Sequence, residues 1–212
     1  PDSDEPGLNN NTYTNIMAAW ILKTTLELLD QLTADRKEEL FEKLAIEEED
    51  LGEWENISRK LYVPFLNDKI MSPFEGYGDL KEIDLEEYRK KYGDIQRLDR
   101  ILKAEDDSPN RYKVSKQPDV LMLFYIFSAE ELVHLMQWMG YKFNPEYIPE
   151  NIKYYIKNST HGSTLSRVVY AWVLARSDRE KSFETFKEAL KSDVQDIQGG
   201  TTSEGIHLGA MA

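Results

Sequence analysis

The 212 residues contain no cysteine, which excludes disulfides, thiol nucleophiles and cysteine-ligated zinc. Histidine is scarce: His134, His161 and His207 lie far apart without metal-ligand spacing, so a zinc site built without thiolates is not expected. No apolar run reaches membrane-spanning length, and no basic stretch leading into an apolar segment opens the chain. Positive charge is also in short supply, with 26 Lys and Arg against 39 Asp and Glu, a net charge of -13. That balance argues against nonspecific binding to nucleic acid or to an anionic membrane. A phosphate-sized ligand stays open, because local donors can outweigh the global sign. The expectation is a cytoplasmic chain with no nucleic-acid and no membrane partner, long enough for one sizeable core or two small domains.

What is present is a succession of helical patterns. Pro1 to Asn11 reads as loop. A helix then starts near Thr14 and buries Ile16, Met17, Ala19, Trp20, Leu22, Leu26 and Leu29. Asp35 flanks a second helix over residues 36–48, and a short third covers 53–60 before Pro64. Residues 62–84 form a long irregular connection of the kind that serves as a rim or lid. Asp84 caps a helix over 85–92, followed by a short amphipathic piece over 95–102. Pro118 suits the first turn of a nearly all-apolar helix through Tyr125. Ser128 opens the next, another starts near Pro149, and further helices cover 163–175 and 179–190, with residues 193–195 suggesting one more. No strand alternation intervenes. Apolar stripes alternate with all-apolar segments, which predicts paired helices with the inner ones more buried. The fold class is all-α, either a helical barrel portion or a bundle.

Three polar clusters sit at helix starts. Lys116 and Gln117 precede Pro118 and offer donors suited to sugar hydroxyls, although a solvated turn would also account for them. In the stretch 159–164, Ser163 or Thr164 can be an N-cap, while His161, Gly162 and the free amides make a candidate anion nest. The closing run 199–207 combines Gly199, Gly200 and Gly205 with Thr201, Thr202, Ser203, Glu204 and His207. Its hydroxyls and close-approach backbone can hold an oxyanion, and capping explains only part of it. The spacing does not match a P-loop. His134 reads as structural, the tryptophans as buried, and Glu47 to Asp50 as solvated surface at the end of an outer helix.

With the stretches 9–15 (NNNTYTN), 116–120 (KQPDV), 161–166 (HGSTLS) and 201–212 (TTSEGIHLGAMA) in order, the chain resembles glycoside hydrolase family sixty-five. That family comprises maltose, trehalose, kojibiose and nigerose phosphorylases and related hydrolases. The resemblance implies the C-terminal portion of an (α/α)6 barrel of the six-hairpin glycosidase kind. It implies that residues 1–212 are a partial catalytic domain, with a β-rich domain and the first part of the barrel elsewhere in a parent polypeptide. It also implies inverting phosphorolysis of an α-linked disaccharide to β-glucose 1-phosphate. No cofactor is implied beyond inorganic phosphate as co-substrate. Lys116 and Gln117 would hold the non-reducing glucose. His161, Gly162, Ser163 and Thr164, with Thr202, Ser203 and His207, would line the phosphate side, and Glu204 would orient that turn or contact sugar.

One departure matters. The family's acid lies in a Gly-Pro-Asp-Glu-aromatic-His motif before the Asn-rich segment, and residues 1–7 (PDSDEPG) echo it only superficially. The acid is therefore expected upstream of Pro1. Aligned directly, Ser3 would replace it, and Glu5 is a third option. Gly162 offers no carboxylate beside His161, and the surrounding hydroxyls suit phosphate, which favours phosphorolysis over hydrolysis. A hydrolase of the same family and a noncatalytic helical sugar-binding scaffold are the competing readings. Oligomeric state stays open, a homodimer included.

Overall fold

A computed structural model describes residues 7–115, 118–160, 164–191 and 195, with backbone alone at Thr164 and Leu165. The helices are α1 (Thr12–Leu29), α2 (Ala34–Leu44), α3 (Glu48–Lys60), α4 (Leu85–Tyr92), α5 (Leu98–Ala104), α6 (Asp119–Ile126), α7 (Ala129–Trp138), α8 (Tyr147–Lys157), α9 (Thr164–Leu174) and α10 (Arg179–Lys191). Among the described residues there is no strand, only three isolated bridges. The fold is all-α and is that of a six-hairpin, (α/α)6 barrel portion.

Helix α6 explains the layering. Val120, Leu121, Leu123 and Phe124 are all within 2% of full burial, so this helix is apolar on every side. It packs against α1, α8 and α9, whereas α1 packs against α3 and α9 against α10. The inner row α1–α6–α9 is thus backed by outer helices. The contrast in burial follows the expectation: α2 buries nothing, and α10 buries Ala189 alone.

Local signals place several boundaries. Asp84 Oδ1 accepts from the amides of Glu86 and Glu87 at 2.9 and 3.0 Å, capping α4 as expected. Ser128 and Glu131 form a reciprocal capping box at α7. Other boundaries shift. Helix α1 begins at Thr12, because Asn11 Oδ1 accepts from Thr14 N at 2.9 Å. Pro118 stands just before the first turn of α6 rather than inside it. The second helix stops at Leu44, where Ala45 adopts a left-handed conformation (φ 52°). Glu47 to Asp50 therefore do not end an outer helix; they open α3, with the Asp50 carboxylate accepting from Glu47 N at 2.8 Å.

The connection over residues 62–84 is anchored by a few buried residues between exposed ones. Val63, Ile70, Met71, Ser72 and Tyr77 are buried. Asn151 of α8 accepts from Met71 N at 3.0 Å and donates to the carbonyls of Lys69 and Tyr147. The Tyr155 hydroxyl donates to the Met71 carbonyl, and Thr12 pairs its backbone amide with Pro73 O at 3.0 Å. A loop whose backbone polar groups find such partners can be buried without loss. Residues 81–115 form a smaller unit with its own core of Leu85, Ile95, Leu98 and Leu102. Contrary to the burial expected of tryptophans, Trp20 and Trp172 are 40% and 55% exposed. His134, read as structural, also lies on the exposed side of α7. Among the described residues no helix is long and apolar enough to cross a membrane.

Candidate functional site

The inner helices α1, α6 and α9 each begin inside one of the sequence motifs, and backbone hydrogen bonds join the segments that precede α6 and α9. Ser115 and Ser159 form a parallel bridge: Ser115 N donates to Asn158 O and Thr160 N donates to Ser115 O, both at 3.1 Å. Lys116 follows the first of these segments and His161 the second. The described segments that precede Lys116 and His161 are therefore adjacent. Ser159 is fully buried, and its hydroxyl lies 2.8 Å from the Tyr170 hydroxyl of α9. That contact anchors the segment before His161 to the helix that follows it.

The Asn11 side-chain carbonyl oxygen caps α1. At Asp119, the first residue of α6, burial raises the pKa above the ordinary carboxylate value, with Asn11 acting against the shift. Asn10 and Asn15 fasten the same segment below, to Glu75 at 2.8 Å and to the Tyr62 carbonyl at 2.8 Å.

Beyond the Ser115 bridge, Thr160 and Arg167 border a cavity of about 180 Å³ that also touches Arg89, Gln96 and Glu188. Arg167 is 4% exposed and lies 3.6 Å from Glu188. The Tyr170 hydroxyl is pushed up to about 12 by burial, against the Ser159 hydrogen bond and the Arg167 charge. A wider groove of about 800 Å³ continues between α8, α9 and α10 over Ile152, Tyr170 and Leu174. Among the described residues, no cluster of three or more His, Asp or Glu could hold a metal ion.

Of the site residues expected from sequence, Thr164 is placed as the first residue of α9. Glu5, Lys116, Gln117, His161, Gly162, Ser163, Thr202, Ser203, Glu204 and His207 lie outside the described residues. What the structure brings together is the framework of two clusters and of the Asn-rich stretch. Sequence reasoning did not single out Ser115 or Tyr170, which complete that framework. The pattern Asn11-x-x-Thr14 was a visible capping signal; the bridge between Ser115 and Ser159 has no local signal.

Comparison with known proteins agrees with this architecture. The family model of the Glycosyl hydrolase family 65 central catalytic domain matches residues 1–212. An uncharacterized glycosyl hydrolase of Mycobacterium tuberculosis is 49% identical over 212 residues, all of this chain and 16% of the relative. The trehalose 6-phosphate phosphorylase of Lactococcus lactis is 38% identical over 98% of this chain and 26% of its own length. The kojibiose phosphorylase of Halothermothrix orenii is 30% identical over 92% of this chain and 23% of its own. A solved structure of a candidate kojibiose phosphorylase from the human microbiome superposes with a TM-score of 0.70 at 23% identity, over 96% of this chain and 25% of that one. The chain spans about a quarter or less of the curated relatives it matches.

Proposed function

Because the chain belongs to glycosyl hydrolase family 65, we propose that it is part of a cytoplasmic enzyme performing inverting phosphorolysis of an α-glucosyl disaccharide. The observation that supports the reading is the Ser115–Ser159 bridge, which joins the backbone segment preceding Lys116 to the one preceding His161. A reaction between a sugar and an anion needs two such surfaces side by side.

In this reading Lys116 and Gln117 hold the hydroxyls of the non-reducing glucose. His161, Ser163 and Thr164 with the Gly162 amide form one side of a phosphate cradle, and Thr202, Ser203 and His207 form the other. Glu204 orients the second turn or reaches the sugar. A glutamic acid preceding Pro1 in a longer polypeptide protonates the glycosidic oxygen. A phosphate oxygen attacks C1 from the opposite face as the bond to the leaving sugar breaks. The products are β-glucose 1-phosphate and a free sugar, with configuration inverted. Attack by phosphate dispenses with a carboxylate to activate water, in keeping with Gly162 beside His161.

The phosphorylase relatives at 38% and 30% identity are named for trehalose 6-phosphate and kojibiose, so the substrate class includes disaccharides with and without a phosphate group. The test supplies the full-length polypeptide with trehalose 6-phosphate, trehalose, kojibiose and maltose, each with and without inorganic phosphate. Turnover that requires phosphate is expected. Equal turnover without it would identify a hydrolase, and binding without any turnover would identify a scaffold.

A further inference from the structure

We infer that Tyr170, through the hydrogen bond between its hydroxyl and that of Ser159, is a positioning residue that aligns the start of α9 with the start of α6. The inference rests on the phosphorolysis reading, in which the sugar is held before α6 and phosphate before α9. It adds to that reading a residue that touches neither reactant. The two hydroxyls lie 2.8 Å apart, and both side chains are buried, Ser159 fully and Tyr170 to within 2%.

Tyr170 is a rigid point to anchor from. It stands in the body of α9 among Val169, Ala171, Val173 and Leu174, all buried, and belongs to the same apolar cluster as Val120, Leu121 and Phe124 of α6. Ser159 lies instead in a connecting segment. Its neighbour Asn158 accepts at its carbonyl from Ser115 N, and Thr160 N donates to Ser115 O, both at 3.1 Å. Asn158 also closes α8, donating its backbone amide to Tyr154 O at 3.1 Å. Across the bridge, Lys113 N donates to Lys81 O at 2.8 Å and fastens the approach to Ser115 within the 81–115 unit. Three bodies therefore meet here: the end of α8, the end of that unit, and α9. Backbone hydrogen bonds join the first two, and the Ser159–Tyr170 pair joins both to α9. Without that pair the bridge persists, because backbone groups make it, but it can shift against α9. The effect falls on alignment of the two helix starts, and a displacement on the order of 1 Å between reactants costs rate more than affinity.

The two hydroxyls can be removed separately and together. Tyr170→Phe keeps the ring and Ser159→Ala keeps the backbone, and each deprives a buried hydroxyl of this partner. The double variant replaces both partners by apolar groups, which is close to neutral for stability. A contact that only stabilises the fold would thus recover its effect in the double variant. A contact that aligns two helix starts would not. The measurements, on the full-length polypeptide, are kcat and both KM values over the same panel, the Kd for inorganic phosphate by phosphorus NMR titration, and the melting temperature.

Each single variant is expected to lower kcat by about tenfold, with both KM values and the phosphate Kd within about twofold. The double variant should regain the melting temperature that the single ones lose, while its kcat stays low. Unchanged kcat in Tyr170→Phe would overturn the inference. So would a double variant whose kcat recovers along with its melting temperature, or a loss of rate that weaker phosphate binding alone accounts for. Wild-type turnover that ignores phosphate would defeat the functional reading and the inference with it. Phosphate-dependent wild-type turnover with unimpaired variants would defeat the inference alone.

Discussion

Two regions of this molecule are held together by different physics. The main body is built on apolar burial: α6 with α1, α7, α8 and α9 gather into one continuous cluster. The unit over residues 81–115 has only four buried apolar residues and relies on polar pins instead. Glu105 accepts hydrogen bonds from Tyr88 at 2.9 Å and Lys91 at 2.6 Å, and from Tyr92 as well. Asp107 accepts from Tyr112 at 2.6 Å and from Arg111 at 3.1 Å. Small cores leave little margin for entropy, so this unit answers to pH and the main body answers to packing. The unit ends on Ser115, the residue that pairs with Ser159 at the candidate site.

The comparison is open to attack in descending order of effect. Phe124→Ala should cost the main body about 4 kcal/mol, from lost transfer energy and a cavity beside Val120 and Leu121. Thermal unfolding of the full-length polypeptide measures it, and a loss near zero would mean that α6 is not the centre of the core. Asn151→Ala should cost about 2 kcal/mol by stranding the Met71 amide and the Lys69 carbonyl. Hydrogen exchange at Met71 should rise at the same time.

The smaller unit should respond to acid. Its hydrogen bonds from Lys91, Tyr92 and Tyr88 hold the Glu105 carboxyl down at about 2, from an ordinary value of 4.5. A depressed carboxylate contributes stability that is complete above its unfolded value and lost as pH falls through the folded one. Amide exchange over 85–105 should therefore accelerate, relative to 119–126, as pH drops from 4.5 toward 2. Glu105→Gln should show the accelerated state already at pH 6 and little further dependence. Parallel behaviour of the two regions in the wild-type protein would erase the distinction between them. Phe183→Ser on the exposed face of α10 should change stability by less than about 0.5 kcal/mol.

The sequence was most readable where one local signal sufficed. The apolar run of α6 declared an inner helix, and Asp84 and Ser128 declared their caps. It was least readable where partners come from far along the chain. Nothing in the residues over 62–84 reveals that Asn151 and Tyr155 pair with the backbone at Lys69 and Met71. No glycine stands at position 45 to advertise a left-handed stop, which hid the end of α2 at Leu44. Trp20 and Trp172 fit an apolar helical face by spacing, and only the packing of neighbours shows them exposed. For the site, sequence reasoning named the motifs, and the structure supplied what spacing does not encode: the Ser115–Ser159 bridge.

The central claim is that phosphate itself attacks the glucosyl carbon. NMR of the full-length polypeptide turning over its disaccharide in phosphate buffer reads the first-formed product directly. The account predicts glucose 1-phosphate with the β-anomeric coupling, formed in step with release of the second sugar. Free glucose appearing at the same rate in phosphate-free buffer, or an α-anomer as the first product, would contradict it.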